Sequence, residues 1–191
     1  ALRCARTHDD ARRPGRLAFE HAAYLAWGRR LRRRAQGRCT VVRDMHCHIL
    51  PGVDDGAQDI EESLAMLEAA KKAGITEIVC TPHCRDPYFD YDAMCAAYDE
   101  LVAHAGDFPL TMGFEVNYAK LMDLGMEWAD KLAFRSSSRE FLLELPTHAQ
   151  PYHFKEYESV IFQLQACGYE VIIAHPERYQ AVQKDMEIAR N

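Results

Sequence analysis

A length of 191 residues suits one domain, or two at most, and 48% hydrophobic with 27% charged residues excludes collagen-like, mucin-like and wholly disordered chains. The net charge of −6 divides unevenly: residues 1–40 carry 11 Arg, no Lys and 3 acids, a net of +8, which leaves −14 on residues 41–191. So acidic a body argues against nucleic acid as substrate and favours cations, and no apolar run approaches the ~18 residues of a membrane span.

In chain order, residues 1–40 read as a non-globular basic extension, disordered or not native to the protein, because the all-Arg bias breaks off near Cys39. The alternative is a basic amphipathic helix over 17–34 lying on an anionic membrane or RNA. The opening Ala1-Leu2-Arg3-Cys4 lacks a signal-peptide core. Seven cysteines, an odd number without framework spacing, read as reduced thiols, so a cytoplasmic protein is expected.

From Val41 the pattern becomes regular, and residues 41–191 read as one domain. Apolar runs predict strands over 42–47, 77–81, 110–114, 141–145 and 170–174. Asp59 with Glu62 three residues on is a capping-box-like start, Ile60, Leu64, Leu67 and Lys71 follow at helical spacing, and Gly74 is placed to end the helix. Further helices are predicted over 91–105 and 152–166, with some helix in 118–133. Strand and helix alternating in this way predict an α/β fold with a parallel sheet.

Each predicted strand delivers a metal-capable residue at its carboxyl end: His46-Cys47-His48, then Thr81-Pro82-His83, Gly113-Phe114-Glu115, Leu143-Glu144-Leu145 and Ala174-His175-Pro176-Glu177-Arg178. In parallel α/β folds those ends share the face that holds active sites. His46 and His48, two apart on a strand, share a side and can grip one ion while Cys47 faces away. His-x-His alone is more often structural; four further strand-end ligands reverse that judgement. Imidazole and carboxylate without thiolate suit Mn, Fe or Zn rather than Ca or Mg. In the loop after the first strand Asp54 and Asp55 make a turn by composition, and one carboxylate is near enough in sequence to reach the ions.

The run Asp44-Met45-His46-Cys47-His48-Ile49-Leu50-Pro51-Gly52-Val53-Asp54-Asp55-Gly56 resembles the opening motif of the polymerase and histidinol phosphatase (PHP) superfamily. Within it, the chain resembles the bacterial CpsB/CapC-type tyrosine-protein phosphatases over 41–191. That resemblance implies a distorted TIM-like (β/α) barrel and up to three divalent ions, Mn2+ foremost, with Fe and Zn as alternatives. Carried over by position, His46 and His48 hold the first ion and Glu115 bridges the first and second. Glu144 and His175 complete the second, Asp55 and His83 serve the third, and Arg178 matches the phosphate-holding arginine. The superfamily closes its site with a late Asp-x-His. After Arg178 this sequence has Asp185 but no His, so about five βα units of a longer barrel are expected, incomplete at the C-terminus.

The implied chemistry is metal-assisted, in-line hydrolysis of a phosphate ester. A cysteine-nucleophile phosphatase needs an arginine six residues after the cysteine of its His-Cys pair. Here His46-Cys47 and His83-Cys84 place Val53 and Asp90 there, so that chemistry is excluded. The leading reading is a phosphotyrosine phosphatase acting on a bacterial tyrosine kinase of capsule or exopolysaccharide synthesis, with homo-oligomerisation left open. The alternatives are a PHP phosphatase for a small ester such as histidinol phosphate, and a non-catalytic metal-binding fragment.

Overall fold

The fold is that of a computed structural model, which describes residues 41–137, 139–148 and 153–185. The expected arm helix over 17–34, and the start of the helix expected from 152, lie outside the described residues.

Strand β1 (Arg43–Cys47) leads through a loop to helix α1 (Ile60–Ala73). Asp59 caps this helix by accepting the Glu62 N–H at 2.8 Å, and Gly74 closes it at φ 91°, a left-handed conformation that a side chain would strain. The Glu62 carboxylate accepts from the Gln58 N–H at 2.9 Å, one residue before the reciprocal partner of a capping box. Strands β2 (Glu77–Cys80) and β3 (His83–Cys84) precede α2 (Tyr91–His104), which Asp90 caps. Then come β4 (Leu110–Met112), β5 (Glu115–Asn117), α3 (Tyr118–Leu124), a 3-10 turn (Met126–Trp128) and α4 (Ala129–Leu132). Strand β6 (Glu140–Glu144), α5 (Phe154–Ala166), β7 (Glu170–Ile173), a second 3-10 turn (Pro176–Arg178) and α6 (Gln180–Lys184) complete the order.

The fold is mixed α/β, and all strand pairs are parallel: β1-β2-β4 in one sheet and β3-β5-β6-β7 in another. Two of the five expected strands, 77–81 and 110–114, are therefore each continued by a short strand beyond an interruption, β3 and β5. Pro82 interrupts one, having no N–H to give a ladder, and Gly113-Phe114 interrupts the other. Backbone bonds cross both breaks, from Gly113 N–H to Cys80 O at 2.9 Å and from Glu115 N–H to Pro82 O at 3.1 Å. The spatial order of the five strands thus follows the chain.

The strands curl. β1 and β7 are the outer strands of this arrangement, yet the rings of His46 and His175, at their carboxyl ends, lie 5.7 Å apart. Arg43 on β1 reaches across to Glu140 on β6 with both carboxylate oxygens at 2.8 Å. Among the described residues the strands form no closed barrel.

Helices cover one face of the sheets, where Leu67, Ile78, Met94, Leu101, Met112, Phe114, Phe141 and Leu143 form the main core. The opposite, concave face carries a smaller cluster of Val79, Phe134, Leu142 and Ala174, with Met45 and Ile172 against it. Met45 packs on that face whereas Cys47, two residues on, packs on the helix side. The pairing register of β1 with β2 shifts between Asp44 and Cys47, which breaks the strict alternation expected for this strand.

Candidate metal centre

Glu115 opens β5 with its side chain 1% exposed. Four imidazoles surround it. Oε1 lies 2.8 Å from His175 Nε2 and 3.2 Å from His46 Nε2; Oε2 lies 2.7 Å from His83 Nδ1 and 3.3 Å from His48 Nε2. The two Nε2 atoms of His46 and His48 are themselves 3.2 Å apart. Glu144, at the end of β6, reaches His175 Nε2 at 3.5 Å. Asp55 Oδ1 stands 3.2 Å from His83 Nε2, on a side chain that is 54% exposed. His46, His48, Asp55, His83, Glu115, Glu144 and His175 thus come together, from strands far apart in sequence.

Their fit to metal ions rests on donor chemistry and on one anomaly. Three groups bring their ligand atoms within 4.8 Å of one another: His46-His48-Glu115, His48-Asp55-His83 and His83-Glu115-Glu144. His83 Nδ1 and Glu115 Oε2 are 2.7 Å apart, yet both are buried without a bond of hydrogen-bonding geometry. Two ligand atoms this close that do not point at one another are what ligands of a common cation present. The resemblance puts His175 with Glu115 and Glu144; in the structure His83 approaches that pair as well.

Burial pushes the Glu115 carboxyl up, but the hydrogen bond with His175 and the close imidazoles of His46, His48 and His83 outweigh it and hold the group far below the usual carboxylate range. Burial disfavours the proton on His48, while the bond to Asp54 and the nearby Glu115 carboxylate more than restore it, to about 9. Glu115, and then Glu144, raise His175 to about 9. Without metal, protons on His48 and His175 offset the buried Glu115 charge.

Local structure fixes these side chains. His175 adopts φ 32°, ψ 58°, a left-handed conformation rare for a residue with a Cβ, and rarer before proline. Tyr179 locks the segment by donating to Ala174 O at 2.7 Å and accepting from the Leu145 N–H at 3.0 Å. After β1 the chain folds back so tightly that a Cβ on Gly56 would stand 2.0 Å from His48 O.

From the residues alone either of the paired aspartates could reach the ions, and the resemblance picks Asp55; in the structure both stand against the histidines. Asp54 Oδ2 meets His48 Nδ1 at 2.7 Å and accepts the His83 N–H at 3.0 Å, while Oδ1 accepts the Gly56 N–H at 2.9 Å. A carboxylate behind a histidine whose other nitrogen faces the centre orients that ring and fixes its tautomer. Asn117 was missed: it caps α3 and donates to Glu144 Oε2 at 3.1 Å. An Asn opening a helix directly after a strand-end ligand was its only signal. Arg178 stands apart, its side chain 56% exposed and 4.0 Å from Glu177; its reach to the cluster is electrostatic, through His175.

A family model described as "Capsular polysaccharide synthesis, CpsB/CapC" matches residues 42–191. The chain belongs to the CpsB/CapC family. It is 30% identical over 151 residues to the putative tyrosine-protein phosphatase CapC of Staphylococcus aureus, covering 76% of this chain and 58% of that one. It is 32% identical over 148 residues to tyrosine-protein phosphatase YwqE of Bacillus subtilis, covering 74% and 57%. A crystal structure from work on YwqE and on CpsB of Streptococcus pneumoniae, described there as metal-dependent tyrosine phosphatases, superposes with a TM-score of 0.62 at 28% identity, over 77% of this chain and 60% of that one. The chain spans about three fifths of the length of these relatives.

Proposed function

We propose that this CpsB/CapC family chain forms the centre of a metal-dependent phosphotyrosine phosphatase. The observation that carries the reading is the buried Glu115 carboxylate at the meeting point of four strand-end imidazoles. We read the curled parallel strands as an arc of a PHP-type (β/α) barrel. His46, His48 and Glu115 hold a first ion, Glu115, Glu144 and His175 a second, and Asp55 and His83 a third. Mn2+ is the leading metal by the family resemblance, and imidazole and carboxylate donors without thiolate suit Mn, Fe or Zn alike. Bound divalent ions supply Lewis acidity, which acidifies water and neutralises phosphoryl charge.

The chain's own groups do the rest. Asp54 fixes the His48 ring, Asn117 orients Glu144, and Arg178 offers its guanidinium to the phosphate. The thiols of Cys47, Cys80 and Cys84, the cysteines nearest the centre in sequence, take no part: burial pushes Cys80 and Cys84 up to about 12 and Cys47 well above its ordinary value, so none of the three is a ready nucleophile. The phosphotyrosine-bearing partner is a tyrosine kinase of capsule synthesis, met in the cytoplasm. Mn2+-loaded protein should release phosphate from a phosphotyrosine peptide, lose that activity with a chelator, and lose it in Glu115→Gln. Faster turnover of histidinol phosphate than of the peptide would replace this reading with the small-ester one. Bound metal without any turnover would leave a metal-binding protein.

A further inference from the structure

Arg85, in the loop between β3 and α2, belongs to none of the ligand groups, yet its guanidinium lies over them. One terminal nitrogen is 3.0 Å from His83 Nε2 and 3.8 Å from Asp55 Oδ2. Its charge also reaches Glu144. Tyr88 fixes the side chain in place: the Arg85 carbon sits 5.6 Å from the centre of that ring, which itself stacks on His83 at 5.8 Å and 20°. The Arg85 Nε–H is buried and has no acceptor.

These features do not suit a structural arginine. A buried N–H left without an acceptor is costly unless a ligand takes it. A positive group set among residues able to hold cations is repelled when those cations arrive, unless an anion lies between them. Once either ring nitrogen of His83 gives its lone pair to an ion, Nε2 can no longer accept from Arg85, which loses its present acceptor as well. Donors in a planar fork then need oxygens spaced as in a phosphate.

We infer that Arg85 is a phosphoryl-binding residue of this centre, presenting Nε–H and a terminal N–H to oxygens of the substrate phosphate, with Tyr88 holding the guanidinium in place. The inference rests on the phosphatase reading and deepens it by assigning a second arginine, on another loop from Arg178. Its rival is that the guanidinium stands in for one of the ions.

The test uses the full chain with Mn2+, comparing wild type, Arg85→Gln, Arg85→Lys and Tyr88→Leu. Metal per chain is measured by elemental analysis, and affinity for inorganic phosphate by calorimetry. Arg85→Gln should keep the wild-type metal content and lose at least about tenfold in phosphate affinity, as expected when a charged hydrogen-bonding partner is removed. Lysine should recover only part of that loss, because a point charge cannot span two oxygens. Tyr88→Leu should weaken phosphate binding less, again at constant metal content, which keeps the test informative if Arg85→Gln does not fold. Unchanged phosphate affinity in the Arg85 variants, or no phosphate binding by the wild type, overturns the inference. A rise in metal content in Arg85→Gln also overturns it and establishes the rival. Phosphotyrosine peptide is assayed in parallel: wild type that binds phosphate through Arg85 but never cleaves the peptide refutes the phosphatase reading alone.

Discussion

Protons and metal ions compete for the same atoms around Glu115, which gives the centre a pH dependence of definite sign. His48 and His175 are raised from an ordinary 6.5 to about 9 in the folded, metal-free protein. Their contribution to stability is full below 6.5 and is lost as pH rises through about 9. Glu115 is shifted the other way, from an ordinary 4.5, so its contribution is present above that value and lost as pH falls. Metal-free protein should therefore be most stable between about 4.5 and 6.5, and its melting temperature should decline toward pH 9. Bound ions must displace those protons, so Mn2+ affinity should rise over the same range, with proton release seen as a buffer-dependent heat in calorimetry. A metal-free melting temperature that climbs between 6.5 and 9 would contradict the protonated cluster. The residues that cluster were legible, because strand-end position alone singles out His46, His48, His83, Glu115, Glu144 and His175. The division of labour between Asp54 and Asp55 was not: adjacent carboxylates in one turn differ only in the backbone N–H groups that the folded loop offers them. Arg85 was invisible for a similar reason, since only the fold brings its loop over the cluster.

Elements deliver these residues through departures from regularity. The five expected strands and the helices over Ile60–Ala73 and Tyr91–His104 follow from periodicity, and their observed limits differ from expectation by a residue or so. The two-residue β3 and three-residue β5 were not predicted, because segments so short beyond the end of an apolar run are revealed as strands only by their pairing. Those interruptions matter, since His83 and Glu115 each open the short strand beyond one and pair with one another in register. The register shift in β1 likewise sits beside His46, as bulges commonly do near active sites. The loop after β1 depends on close backbone approach at Gly56, where a methyl group would meet the His48 carbonyl at 2.0 Å. Backbone must then move. Gly56→Ala should destabilise the protein by about 1–3 kcal/mol, the usual range for forced overpacking. It should also weaken Mn2+ binding about tenfold or more, by dislodging Asp54 from His48 and His83. Wild-type melting and metal affinity in that variant would mean that the loop is not what sets the centre.

At the scale of the whole molecule, curvature gathers ligands from every strand, and the question is which part of the chain that curvature needs. The packed core among the described residues runs from Ile49 to Val182, and Val41 is 65% exposed at its margin. The family match begins at residue 42. The basic residues 1–40 contribute no ligand candidate, and their +8 faces a body of −14, so their expected influence on the centre is electrostatic and long-ranged. Deleting 1–40 should leave the melting temperature within about 2 °C of wild type, a change below ~1 kcal/mol for a domain of this size. The number of bound ions should not change. Affinity for Mn2+ should rise slightly at low ionic strength, because a positive segment no longer offsets the acidic body, and that gain should vanish near 0.15 M salt, where the screening length falls to about 8 Å. A salt-dependent gain with unchanged melting places the segment's effect in its charge alone. Loss of folding on deletion would instead show that Leu17, Tyr24 or Trp27 packs against the body, and would move the domain boundary toward the N-terminus.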